Sequence, residues 1–108
     1  MHVKESFQII DHLHPMLPEV IALSIGNLTN KKIHKVLNSY KPKDNYLIGY
    51  FLNSKMIGVI GVALSDYHVK IRHISILLNY QRRGIGKKLI DYIIKHYNVN
   101  SLQAETDD

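Results

Sequence analysis

Residues 81–86 read Gln-Arg-Arg-Gly-Ile-Gly, follow a long apolar strand pattern from Val69 to Tyr80, and run without a break into an amphipathic helix pattern. A strand, a tight glycine turn and a helix in that order leave the first N–H groups of the helix without intrahelical partners and converging on one point. That arrangement holds a phosphate or pyrophosphate. Two glycines let the backbone turn sharply and come close to such an anion. Arg82, Arg83, Lys87 and Lys88 surround it with positive charge. The spacing matches neither common phosphate loop, because the dinucleotide fingerprint needs a third glycine and the Walker loop needs Gly-Lys followed by Ser or Thr. Stripped of its flanks, the hexapeptide would read as a glycine-punctuated helix start with solvated cations. The strand before it and the helix after it favour the anion site.

The rest of the chain supplies a fold around that turn. Ser6 to His12 reads as a first strand of imperfect alternation. After Pro15 and Pro18, residues Val20, Ile21, Leu23, Ile25 and Leu28 predict a short helix ending at Gly26. A second helix is capped by Thr29 or Asn30, carries Ile33, Val36, Leu37 and Tyr40 on one face, and stops at Pro42. Tyr46 to Leu52 and Met56 to Leu64, separated by Asn53-Ser54-Lys55, predict a hairpin in the middle of the sheet. Its second strand is almost continuously apolar, so both faces are covered. Ser65 to His68 turns the chain again.

Val69 to Leu78 carries an irregularity. Apolar positions are odd at Val69 and Ile71, then even at Ile74, Ile76 and Leu78. A switch of parity predicts a bulge near Arg72-His73, which re-aims the following side chains and leaves main-chain donors unpaired; a strand buried on both faces would give the same letters. From Gly84 onward Ile85, Leu89, Ile90, Ile93, Ile94 and Tyr97 recur at helical spacing, and Ser101 to Thr106 predicts a last short strand. The order is β-α-α-β-β-β-α-β.

At 108 residues and 45% hydrophobic content, the chain fits one domain, residues 1–108, around one core. No stretch has the roughly 18–20 consecutive apolar residues of a membrane span, and the N-terminal residues lack a signal-peptide core, which predicts a cytoplasmic protein with no membrane partner. With no cysteine there is no disulfide framework, thiolate nucleophile or cysteine-ligated zinc. Glu105, Asp107 and Asp108 crowd the C-terminus, so residues 1–104 set fourteen Lys and Arg against six acidic residues, a surface attractive to polyanions. A small basic RNA- or DNA-binding domain would share that charge, yet no aromatic RNA-binding signature or helix-turn-helix pattern accompanies it, and no nucleic acid partner is expected.

Gln81-Arg82-Arg83-Gly84-Ile85-Gly86 resembles the Gln/Arg-x-x-Gly-x-Gly/Ala motif of the GNAT acetyltransferase superfamily, and the element order resembles that fold from its first strand through its fifth. The resemblance implies an α/β (α+β) fold, with a mixed, mostly antiparallel sheet and helices on both faces. It implies acetyl-CoA as co-substrate, no metal, and acetyl transfer to a primary amine of a small molecule or protein. Gln81, Arg82, Arg83, Gly84, Ile85, Gly86 and Lys87 would cradle the pyrophosphate. The backbone of Ile76 and Leu78 would pair with the pantetheine arm as an added strand, and the Ile76 N–H would meet the thioester carbonyl. The family's usual last helix and two strands have no counterpart here, nor does the tyrosine they commonly supply; Tyr92 and Tyr97 read as core or rim residues. A fifth strand without later neighbours predicts an uncovered edge and a homo-oligomer that buries it. A non-catalytic CoA-binding remnant is the alternative reading.

Acetyl transfer to an amine needs a held thioester, a neutral nucleophile and a donor for the oxyanion. His73 in the expected bulge and His68 in the preceding turn are the candidate bases, because imidazole titrates near neutrality. Each also reads as a partly exposed strand or turn residue, and Ser75 as a structural hydroxyl. His12 and His14 lack a third ligand at metal spacing. Lys31, Lys32, His34 and Lys35 read as a solvated helix face.

Overall fold

The computed structural model describes residues 3–25, 29–66, 68–97 and, for the backbone, 101–104. Five strands form one sheet in the order β1-β2-β3-β4-β5. They are β1 (Glu5–Ile10), β2 (Asn45–Leu52), β3 (Lys55–Ser65), β4 (His68–Ile76) and β5 (Ser101–Ala104). Neighbours among the first four run antiparallel, and β5 lies parallel to β4. The helices are α1 (Leu17–Ile21), extended by a 3-10 turn at Ala22–Ser24, α2 (Asn30–Asn38) and α3 (Ile85–Tyr97). Each expected element is present, with ends shifted by a few residues. The expected stop at Gly26 lies outside the described residues, as does the predicted end of the last strand.

Local chemistry explains the turns and caps. Asn53 and Ser54 both have positive φ (50° and 77°), so the β2–β3 connection is a two-residue turn of the twist that suits a hairpin, and Lys55 already pairs with Leu52. Thr29 accepts a hydrogen bond from the Lys32 N–H at 3.1 Å and caps α2.

The sheet is covered on both faces. Ile85, Leu89 and Ile93 of α3 pack with Ile48, Tyr50, Ile60 and Val62. On the other face Leu17, Val20, Ile21 and Leu37 of α1 and α2 pack with Leu47, Phe51, Met56 and Val59. The continuous apolar run of β3 is thereby accounted for, since one strand feeds both layers.

Two bulges break the alternation. Tyr50 pairs with Gly58 and Phe51 with Met56, so Ile57 is an extra residue in β3. Gly61 pairs with His73 and Val62 with Ile71, so Arg72 is the extra residue in β4, where the parity switch predicts it. Before this bulge Val69 and Ile71 face α3; after it Ile76 does, while Ser75 points the other way and donates to the Val20 carbonyl at the end of α1, 2.5 Å away. β4 stops at Ile76. Leu78 belongs to a 3-10 turn over Leu78–Tyr80 and is 71% exposed, which corrects its expected place in the strand. The cause is visible in the backbone: Leu77 still bonds the Ile57 carbonyl, but Tyr80 N–H then bonds Leu77 O and turns the chain out of the sheet.

The bulged residue ties β4 to α2. The Arg72 guanidinium donates to the Ser39 carbonyl (3.2 Å), the Ser39 hydroxyl (2.8 Å) and the Asn45 side-chain oxygen (3.2 Å), and lies 4.4 Å above the Tyr40 ring. Ser39 caps the C-terminus of α2, whose partial negative charge favours a cation there. Tyr40 is buried against β3 because residue 61 is glycine: a Cβ there would sit 2.0 Å from the phenol oxygen. On the opposite face, the Glu5 carboxylate accepts from the Tyr50 hydroxyl (2.6 Å) and from Lys88 Nζ (2.5 Å), joining β1, β2 and α3.

Gly61→Ala is expected to cost about 1–3 kcal/mol in urea unfolding, because the Tyr40 ring must move. In a Tyr40→Ala background most of that cost vanishes; an undiminished cost there would contradict the contact. The Lys88 and Tyr50 hydrogen bonds hold the Glu5 carboxyl below the usual carboxylate range, against a smaller opposing effect of burial. A carboxyl depressed in the folded state contributes stability that is present above its unfolded pKa and is lost as pH falls through the folded one. Glu5→Gln should therefore lower the melting temperature at pH 7, with the gap from the parent closing below about pH 4. A gap of constant size from pH 7 to pH 3 would contradict the assignment.

Candidate active site

At the entrance to α3 the chain alternates in handedness. Arg82 (φ 65°) and Gly84 (φ 78°) are left-handed with Arg83 between them, a pattern that turns successive N–H groups toward a shared concavity. The first helical bond runs from Lys88 N–H to the Gly84 carbonyl at 3.1 Å. Among the described residues, the N–H groups of Ile85, Gly86 and Lys87 consequently have no partner. A Cβ on Gly84 would meet nothing within 4 Å, so that glycine answers to its backbone angle and fronts open space. At Gly86 a Cβ would only touch Ile74 at 3.7 Å, so the protein's own packing does not demand glycine there.

The cations around this turn are differently employed. Arg82 and Lys87 are exposed, and Arg83 lies 5.3 Å over the Tyr80 ring. Lys88, expected to add charge to the cradle, instead pairs with Glu5, because its place one turn into α3 directs it to β1. Gln81 is exposed and its side-chain amide donates to the Ile76 carbonyl at 2.9 Å, linking the cradle to the end of β4. Beside the turn opens a cavity of about 320 Å³ lined by Glu19, Leu23, Lys55 and residues 77–80.

The edge of β4 forms the second part of the site. Leu77 N–H bonds the Ile57 carbonyl, and antiparallel bonding alternates, so residues 73 and 75 bond across to β3 while Ile74 and Ile76 turn their N–H and C=O groups away from it. The described pairing with β5 ends at Ile71 and Ala104, one residue short of the bulge. Ile76 thus offers an outward N–H in line with the α3 entrance, with no partner among the described residues. Leu78, in its 3-10 turn, offers no strand edge.

The candidate bases separate. His68 opens β4, eight residues from Ile76 and so about 26 Å along the strand, too far to serve the same centre. His73 is half-buried and its Nδ1 lies 2.5 Å from the Tyr40 hydroxyl. His12 stands beside Asp11 (3.3 Å), and His14 Nδ1 accepts from the Met16 N–H (3.1 Å). Among the described residues no group of three or more His, Cys, Asp or Glu could hold a metal. Tyr92 stacks on Phe7 at 4.9 Å, as a rim residue should. Sequence reading missed the Tyr40–His73 contact; the glycine at 61, opposite the bulge, was its one signal.

Residues 13–106 match the family model described as acetyltransferase (GNAT) family. A curated relative, the uncharacterized N-acetyltransferase in the lysA 3' region of Bacillus methanolicus, is 32% identical over 62 residues, covering 56% of this chain and 52% of that protein. The chain thus spans about half the length of that relative. Among solved structures, the aminoglycoside N-acetyltransferase AAC(6')-Iy in complex with CoA superposes with a TM-score of 0.78 at 10% identity, over 99% of this chain and 80% of the other. An acetyl-CoA-bound GNAT acetyltransferase from Elizabethkingia anophelis gives 0.70 at 18% identity, over 96% and 66%. The ribosomal-protein-S18-alanine N-acetyltransferase from Escherichia coli gives 0.70 at 15%, over 87% and 59%. At those identities the likeness is one of fold. Together with the family match over residues 13–106, the glycine turn at the α3 entrance and the bulged β4 identify this chain as a member of the GNAT acetyltransferase family.

Proposed function

We propose that the chain binds acetyl-CoA along β4 and at the α3 entrance, and transfers the acetyl group to a primary amine of a small molecule or protein. The observation that carries the reading is the row of outward N–H groups at Ile76, Ile85, Gly86 and Lys87, which have no partner among the described residues. The residues fit the group. Amides at a helix N-terminus favour a diphosphate, Gly84 leaves open space in front of them, and the exposed Arg82 and Lys87 add positive charge. When bound, the co-substrate supplies an activated thioester. The Ile76 N–H would hold its carbonyl oxygen, and main-chain pairing along residues 74–76 would fix the direction of the arm.

Support for the co-substrate comes from relatives of the same fold whose structures contain CoA or acetyl-CoA. Relatives acting on aminoglycosides and on a ribosomal protein support an amine acceptor in general terms and leave its class open. Binding without turnover is the second reading. Thiol release from acetyl-CoA with a panel of amines separates the two.

Gly84→Val with Gly86→Val places side chains in front of the cradle amides, the first of them at a left-handed φ. Calorimetry is expected to show acetyl-CoA affinity falling at least about 100-fold, the loss of several charge-assisted hydrogen bonds, with the circular dichroism of the fold retained. Unchanged affinity would contradict the cradle. An oligonucleotide in the same experiment should bind weakly and equally to parent and variant.

A further inference from the structure

The Tyr40 phenol is 5% exposed, yet its hydroxyl meets the Nδ1 of the half-buried His73 at 2.5 Å from the far end of a helix 33 residues away in sequence. Three independent features hold it there. Gly61, the cross-strand partner of His73, lacks the Cβ that would displace the ring. The Arg72 guanidinium lies on the ring face while its nitrogens are held by Ser39 and Asn45. The bulge at Arg72 turns His73 to the α1/α2 face, where Tyr40 can reach it. Such an arrangement fixes one imidazole nitrogen, and with it the ring's orientation, in the way a proton-accepting histidine requires.

Its place along β4 suits that task. A cofactor arm running back from the α3 entrance past Ile76 would bring its acyl end toward the bulge. His73 lies three residues further along, about 10 Å of strand, so an acceptor nitrogen seated part-way along that span would reach the imidazole through water. We propose that the Tyr40–His73 pair receives the proton of the acceptor ammonium, with His73 as general base and Tyr40 as its positioning residue. This rests on the acetyl-transfer reading above. One proton passes from the ammonium, through water, to the imidazole. The freed lone pair forms the C–N bond as the C–S bond breaks, and the departing thiolate takes the second amine proton to become the thiol. The imidazolium then returns its proton to water, so atoms and charge balance. Among the described residues, the charged and titratable groups seen against His73 are Arg72 of β4 and Tyr40 after α2.

The test compares two nucleophile classes with the full chain: simple primary alkylamines, which are ammonium ions at pH 7 with pKa values near the lysine value of about 10.4, and hydroxylamine, which is already neutral there. Acetyl-CoA affinity is measured alongside by calorimetry. With alkylamines, His73→Gln is expected to lower kcat/KM about 100-fold, and Tyr40→Phe, which keeps the ring under Arg72, about 10-fold. With hydroxylamine, both should stay within about twofold of the parent, and both should bind acetyl-CoA as the parent does. The acid limb of the parent's pH–rate profile with alkylamine should disappear in His73→Gln and move in Tyr40→Phe. Equal losses with both nucleophiles would mark a structural role and overturn the proposal; so would an unchanged pH profile, or a parent that uses hydroxylamine but no alkylamine. A parent that fails to bind acetyl-CoA would instead remove the underlying reading of the site.

Discussion

A single extra residue in β4 organises this molecule. Arg72 occupies the bulge, and everything after it on the strand is turned over relative to everything before it. Without that turn, Ile74 and Ile76 would face the α1/α2 layer, and His73 and Ser75 would be driven among the apolar side chains under α3. Both faces fix the register, because slipping one residue would take the buried Ser75 hydroxyl from its Val20 acceptor and set it, with His73, among the apolar side chains under α3. Arg72 then links the distorted backbone to the end of α2, using its planar fork for three hydrogen bonds and its face for Tyr40.

In the proposed reading, the bulge and the glycine turn are two ends of one binding strip. At one end β4 presents outward backbone groups; at the other α3 presents its first amides, and the Gln81 side chain joins them by bonding the Ile76 carbonyl. Both ends rest on rigid parts of the fold. α3 is anchored under the sheet by Ile85, Leu89 and Ile93, and β4 is anchored on the other face by the Ser75 to Val20 bond.

What could be read from the letters was periodic or local. The parity switch between Ile71 and Ile74 gave away the Arg72 bulge, and the glycines at 84 and 86 between strand and helix patterns gave away the tight turn at the α3 entrance. The Ile57 bulge left no trace, because every neighbouring position in β3 is apolar and a shift of phase is invisible in a uniform run. Lys88 read as one more cation of the cradle, although its partner Glu5 lies 83 positions earlier and only the packing of β1 against α3 brings them together. Tyr40 read as a core residue of α2. Its bond to His73 depends on the missing side chain of Gly61, a three-body arrangement that no spacing rule encodes.

The most direct test of the central claim is an amide NMR titration of the chain with acetyl-CoA. Backbone N–H signals of Ile76, Ile85, Gly86 and Lys87 should shift together and saturate at one stoichiometric equivalent, with those of β1 and β2 staying in place. Saturable shifts confined to other elements, with these four amides unmoved, would contradict it.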